Sequence, residues 1–241
     1  MCTVPKVACT NWKRFFLTLN CRGNDVKTCG YDPSASAHTQ SVSLQQMSNL
    51  SLEEIIYRLD NYVSFVMVRD PFTRLLSAYR DKFKAKSRFT KMFWKAIISS
   101  YKKQDGRRRH SGDLITWTEF VRYISDAKSV FSNRDGHWAR MVDLCFPCQK
   151  QYDMIGNYES LATDSSFILN KLGLSDLLDV ALNTPGSRYI RRDTTKSSDF
   201  KTVQEYYCSL PQDSITNLAQ RYMDDFSAFG YNTSELKYII G

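Results

Sequence analysis

A lysine, a threonine and a run of small residues stand between a short apolar strand and a helix start: Pro5-Lys6-Val7-Ala8-Cys9-Thr10-Asn11-Trp12-Lys13-Arg14. A turn of that kind points backbone N–H groups at an anion, with the positive end of the helix dipole behind them. Lys6 adds a flexible point charge and Thr10 a hydroxyl donor at the same place. The Gly-x-x-x-x-Gly-Lys-Ser/Thr spacing of a nucleoside-triphosphate loop is absent. A second anion candidate is Arg69, which follows the apolar run Tyr62-Val63-Ser64-Phe65-Val66-Met67-Val68. Ligands of open α/β sheets bind beyond the carboxyl ends of the strands, where Arg69 stands. Ser77 lies about two turns into the next helix, within reach of the same anion. Each segment also has a plain structural reading. The first is then an ordinary strand–helix junction with a surface lysine, and the second a capped core helix with a surface arginine.

These side chains need elements to hold them. The run 62–68 reads as a buried parallel strand. Asp70 suits an N-cap and Pro71 the first helical position, and Phe72, Leu75, Leu76, Tyr79 and Phe83 recur at helical spacing. Ser51-Leu52-Glu53-Glu54 and Thr116-Trp117-Thr118-Glu119 are capping boxes. The pattern predicts further helices over 87–103, with Phe89, Phe93, Trp94 and Ile97 inward, over 165–172 with a stop at Gly173, and over 213–226. It predicts a strand over 151–156. The segment 102–110 is a basic loop, either a solvated excursion or a contact for an acidic glycan. The segment 184–195 is a polar, turn-rich loop able to close over a ligand. No repeat, low-complexity tract or linker divides the chain, so one α/β domain over 1–241 is the economical reading.

With 241 residues, 42% hydrophobic and 13% aromatic, the chain can bury a substantial core and is not a disordered sequence. The formal net charge of +8 favours acidic partners, and nucleic acid, anionic lipid and acidic polysaccharide all fit its sign. There is no apolar run of about 18 residues and no signal-peptide pattern. Seven cysteines are too few for a disulfide scaffold and more than a cytosolic chain needs. Cys145-Phe146-Pro147-Cys148 is a redox pair, half a zinc site or a structural element. Zinc needs four ligands and no second pair is visible, so a structural role reads best. Asn49-Leu50-Ser51 and Asn232-Thr233-Ser234 are compatible with secretion.

The first motif resembles the 5′-phosphosulfate loop of sulfotransferases, and its wording is similar to the Golgi carbohydrate sulfotransferases that include the chondroitin 4-O and HNK-1 enzymes. Residues 68–83 resemble that family's 3′-phosphate segment. The likeness continues through His137-Trp138 and through Leu144-Cys145-Phe146-Pro147-Cys148 to Ser160, with Asn157 and Ser160 in place of the usual Lys and Thr. It spans nearly the whole chain, most weakly at 21–50 and 85–135. The resemblance implies a P-loop-like α/β fold, with a central, mostly parallel sheet flanked by helices. It implies 3′-phosphoadenosine-5′-phosphosulfate as co-substrate, gripped by residues Pro5 to Trp12 and, at the 3′-phosphate, by Arg69 and Ser77. No metal is expected, because the protein supplies the cations.

Sulfuryl transfer is an in-line displacement, for which positioning and electrostatics do most of the work. Lys6 would stabilise the bridging oxygen as its bond breaks. His38, in a segment similar to the family's histidine region, would take the proton of the sugar hydroxyl; alternatively it is a surface-loop histidine. His137 reads as packing or acceptor binding. His110 only ends the basic run, and Glu53 and Glu54 belong to a cap. The acceptor implied is an acidic glycan, with O-4 of N-acetylgalactosamine in chondroitin or dermatan favoured by the basic balance. Glucuronate O-3, terminal N-acetylgalactosamine O-4 and a non-catalytic glycan-binding protein are the alternatives. A P-loop kinase would want a Gly-Lys-Ser/Thr turn and a magnesium carboxylate. The family's location implies a lumenal Golgi glycoprotein with no nucleic-acid partner. The chain enters its first motif within five residues, so it reads as a catalytic domain whose first strand and upstream membrane anchor are missing.

Overall fold

The structure is a computed structural model and describes residues 1–21, 31–32, 35–101, 113–126, 135–175 and 195–233. The basic loop 102–110, the loop residues 184–194, Cys29 and Ser34 lie outside the described residues. The chain forms two compact units, one of residues 1–67 with 151–192, the other of residues 68–150 with 193–241.

In the first unit the sheet is small. Strand β1 is Phe65–Val68, buried at every position, and it is hydrogen-bonded to β2, Met154–Asn157. Cys2 adds a parallel bridge to Val66, with its N–H donating to the Phe65 carbonyl at 3.1 Å. Where a seven-residue strand was expected, pairing covers four. Tyr62 is the C-cap of the preceding helix, and its N–H is spent on the Arg58 carbonyl. Tyr62 and Val63 accordingly stand exposed. The Asp153 carboxylate accepts from both the N–H and the hydroxyl of Ser64 at 2.7 Å, clipping the start of the two strands together. Gly156 permits the close packing: a Cβ there would sit 2.6 Å from the Met67 sulfur.

Helix α1 (Cys9–Asn20) buries Cys9, Trp12, Phe15 and Leu17, and the Trp12 ring meets Phe65 at 4.8 Å between centroids. The short α2 (Ala37–Gln40) packs against α1. Helix α3 (Leu52–Asn61) starts at the capping box expected of Ser51 and Glu54, both halves of which are formed. Further along the chain, helix α8 (Leu161–Lys171) packs on β2. It ends at Gly173, whose φ of +68° only glycine adopts without strain.

The second unit is helical. Its helix α4 (Pro71–Lys82) begins as expected, with Asp70 accepting from the Thr73 N–H at 2.8 Å and Pro71 in the first turn. Its buried face carries Phe72, Leu75, Leu76 and Tyr79, with Phe83 just beyond. Around it lie α5 (Arg88–Tyr101), α6 (Trp117–Ser125), α7 (Met141–Cys145) and α9 (Phe200–Cys208). Two further helices, α10 (Gln212–Arg221) and α11 (Met223–Phe229), stand where one helix was expected. The break is at Tyr222, which is fully buried and donates its hydroxyl to the Trp138 carbonyl at 2.6 Å. Two more buried tyrosines, Tyr79 and Tyr207, reach the carbonyls of Ile115 and Phe72. Asp225, fully buried, accepts from the N–H groups of Met141 and Val142 at 2.9 Å each and so fixes the start of α7. Among the described residues the result is a helix-rich α/β protein with a small parallel sheet.

Candidate functional site

The turn that opens α1 is left-handed at two non-glycine residues, Lys6 at φ 71° and Ala8 at φ 64°. Each such conformation costs roughly 1–3 kcal/mol, and such strain clusters at ligand sites. Val4 and Val7 anchor the turn in the core at 1% exposure each, leaving Lys6 half-buried. Ala8 caps α1 without a side-chain bond, and the N–H groups of Asn11 and Trp12 return to its carbonyl. Among the described residues the N–H groups of Val7, Ala8, Cys9 and Thr10 meet no acceptor. With no acidic residue in the first turn of α1, these donors and the helix dipole make a place for an anion. The side chains of Val7, Cys9 and Trp12 are buried, so only their backbone can face a ligand.

His38 lies on α2, exposed, with Nε2 3.1 Å from the Thr10 hydroxyl and Nδ1 3.3 Å from the Lys13 ammonium. An ammonium only donates, so Nδ1 is the acceptor and the proton of the neutral ring sits on Nε2, donating to Thr10. His38 is thus held in one tautomer beside the anion turn, with Lys13 on its Nδ1. Lys13 belongs to the same motif as Thr10. Its spacing of three from Thr10 puts both on one helix face, a signal visible in the sequence.

The second unit holds Arg69 and Ser77. Arg69 is buried at 1% exposure at the end of β1. Its Nη2 donates to the hydroxyls of Ser197 at 2.9 Å and Ser198 at 2.7 Å, and its Nε to Thr73 at 3.3 Å. Ser77, also buried, lies 3.3 Å from the Thr195 hydroxyl, which lies 2.7 Å from that of Ser197. The guanidinium is thus set among hydroxyls, a donor-rich surrounding of the kind that suits an anion. Thr195, Ser197 and Ser198 were not foreseen as site residues. Their only mark in the sequence is the hydroxyl-rich stretch Thr194-Thr195-Lys196-Ser197-Ser198 before the cap of α9, in which the expected ligand loop reached only to Thr195.

Arg74 turns to the other side of α4 and donates to the carbonyls of Gly136 and Ala139 at 2.7 Å, fixing the turn that carries His137. There His137 Nδ1 meets the Asp135 carboxylate at 2.6 Å, and its ring lies edge-on to Phe89. Burial would raise Asp135, but the His137 hydrogen bonds outweigh it and hold the carboxyl below the usual range. Glu54 is used in the cap of α3, as its sequence context indicated. Cys145 is disulfide-bonded while Cys148 is a free, exposed thiol, so the Cys-Phe-Pro-Cys segment is not closed on itself. Among the described residues no group of three or more His, Cys, Asp or Glu is placed to hold a metal ion.

The sulfotransferase family matches residues 1–232. Carbohydrate sulfotransferase 14 of Danio rerio is 36% identical over 234 residues, covering 95% of this chain and 59% of its own length. For carbohydrate sulfotransferase 11 of Rattus norvegicus the figures are 35% over 237 residues, 96% and 64%. For carbohydrate sulfotransferase 10 of Homo sapiens they are 32% over 236 residues, 95% and 63%. The chain thus spans about three fifths of the length of the curated relatives it matches. No solved structure matches it. With a family match over nearly every residue, and basic, hydroxyl-bearing sites where that family's motifs were read, this chain belongs to the sulfotransferase family.

Proposed function

We propose that the protein moves the sulfuryl group of 3′-phosphoadenosine-5′-phosphosulfate to a sugar hydroxyl, on the P-loop-like fold that the resemblance implies. The observation that carries this reading is the α1 turn, where four N–H groups that meet no acceptor among the described residues stand with Lys6, Thr10 and an oriented His38. Residues Pro5 to Trp12 take the sulfate-bearing 5′ end, and Arg69 and Ser77 take the 3′-phosphate. The sugar oxygen attacks sulfur as the bond from sulfur to the phosphate oxygen breaks. His38 Nδ1 takes the hydroxyl proton after Lys13 turns from the ring to the sulfonate oxygens. Lys6 neutralises charge on the departing phosphate, and adenosine 3′,5′-bisphosphate leaves with a sulfate ester formed on the sugar. No metal takes part in these steps.

For the acceptor we assign an acidic glycan, with O-4 of N-acetylgalactosamine in chondroitin or dermatan as the position. The net charge of +8 and the relatives named carbohydrate sulfotransferases support a charged carbohydrate. We place the protein in the Golgi lumen. The disulfides of Cys2, Cys21 and Cys145 suit an oxidising compartment. Calorimetry with adenosine 3′,5′-bisphosphate and adenosine 5′-monophosphate tests the donor. The bisphosphate should bind more tightly, and Arg69→Ala should abolish that preference by removing a charge-assisted donor. Equal affinities in the unaltered protein would overturn the 3′-phosphate assignment. Labelled donor with a panel of glycans then reads the acceptor.

A further inference from the structure

Residues 82–95 contain Lys82, Lys84, Lys86, Arg88, Lys91 and Lys95 and no aspartate or glutamate, and so account for six of the eight net positive charges of the chain. Residues 82–95 are thus strongly basic, as is the neighbouring segment 102–110. Lys82 is engaged by Asp81 at 2.9 Å and lies over the Phe89 ring. The other five are exposed, and none has an acidic partner among the described residues.

Their backbone is held in place. Between α4 and α5 the Ser87 hydroxyl donates to the Lys82 carbonyl at 2.6 Å and accepts from the Thr90 N–H at 3.1 Å. The buried Thr90 hydroxyl donates to the Ala85 carbonyl at 3.0 Å, and Phe83 is buried completely. Lys84 and Lys86 thus project from a corner tied down on both sides. On α5, Arg88, Lys91 and Lys95 follow at spacings of three and four, so they share one outward stripe about 10 Å long. The inner face of that helix is taken by Phe89, Phe93 and Ile97. Like charges gathered on a fixed surface repel each other and stabilise nothing locally, whereas a bound polyanion would reverse that cost.

The geometry points to the corner and stripe formed by Lys84, Lys86, Arg88, Lys91 and Lys95 as the docking surface for an acidic polysaccharide, one bearing repeated carboxylates or sulfates. This rests on the sulfotransferase reading above and assigns where its acceptor chain lies. A glycan extends well past the one sugar that reacts, and a row of cations suits its repeated anions.

The test uses the whole chain and a fluorescent chondroitin sulfate oligosaccharide, followed by anisotropy over a range of salt. Lys84→Ala with Lys86→Ala, and Lys91→Ala with Lys95→Ala, should each weaken binding by roughly three- to tenfold and flatten its salt dependence. Lys171→Ala with Lys201→Ala removes the same charge elsewhere and should leave both unchanged. A desulfated, carboxyl-reduced oligosaccharide should not bind. Equal loss in the control pair, no loss in the other two, no binding by the unaltered protein, or equally tight binding of single-stranded DNA would each overturn the assignment. Affinity for adenosine 3′,5′-bisphosphate is measured on the same samples and should not change. Failure of the nucleotide to bind the unaltered protein would count against the donor reading alone.

Discussion

Ser197 and Ser198 both accept from the Arg69 guanidinium, and replacing each by alanine separates bond length from burial. By distance Ser198 makes the better bond, 2.7 Å against 2.9 Å. Ser197, however, is completely buried, whereas Ser198 is exposed. A hydrogen bond to a charged group contributes about 1.5–3 kcal/mol, and that much is lost only where no water can replace the missing acceptor. At Ser198 the solvent is at hand, so Ser198→Ala should cost about 0.5 kcal/mol or less. At Ser197 the acceptor itself is cut off from solvent, so no water takes its place and Ser197→Ala should cost about 1.5–3 kcal/mol. Urea denaturation followed by tryptophan fluorescence and circular dichroism measures both, with an unchanged slope confirming that the unfolded state is not altered. Adding adenosine 3′,5′-bisphosphate at a hundred times its dissociation constant should return about 2.7 kcal/mol to either variant if binding survives. The reasoning is refuted if Ser198→Ala proves as damaging as Ser197→Ala, for then length and not burial governs the site.

In single-turnover transfer, His38→Ala should lower the rate by roughly two to four orders of magnitude with donor affinity nearly unchanged, whereas Lys6→Ala should reduce both; a normal rate in His38→Ala removes it from the mechanism. Gly156→Ala would bring a methyl group to 2.6 Å from the Met67 sulfur and should lower stability by about 1–3 kcal/mol in a urea titration, less if Met67 swings aside. Burial raises the Asp225 carboxyl more than its bonds from Met141 and Val142 lower it, so the folded state holds this proton more tightly than the unfolded chain does. Its contribution is therefore complete at low pH and falls as pH rises from about 4 through the folded value, and Asp225→Asn should flatten that part of the stability profile. Asp135 has the opposite sign: held low by His137, it contributes above pH of about 4 and is lost as pH falls through its folded value, a loss that Asp135→Asn should abolish.

Features settled within one helical turn were legible in the residues themselves. The capping boxes at Ser51 and Thr116, the Asp70-Pro71 start of α4 and the stop at Gly173 each depend on groups three or four residues apart, and each is formed as read. The buried stripe of α4 follows from the same helical period. The places of Arg69 and Ser77, at a strand end and two turns into a helix, were likewise marked locally. Their hydroxyl partners were not, since Ser197 and Thr195 lie 128 and 118 residues away from them and nothing in a serine's neighbours says which cation it will meet. The same holds for His38, whose contacts with Thr10 and Lys13 span 28 and 25 residues, and for the differing fates of Cys145 and Cys148. Where local pattern and packing disagreed, packing prevailed. A continuous helical period runs through Tyr222, yet its buried hydroxyl binds the Trp138 carbonyl and the helix divides there. Local hydrogen bonds form between groups the chain already holds near each other, whereas long-range ones exist only once burial has excluded the water that would otherwise take their place.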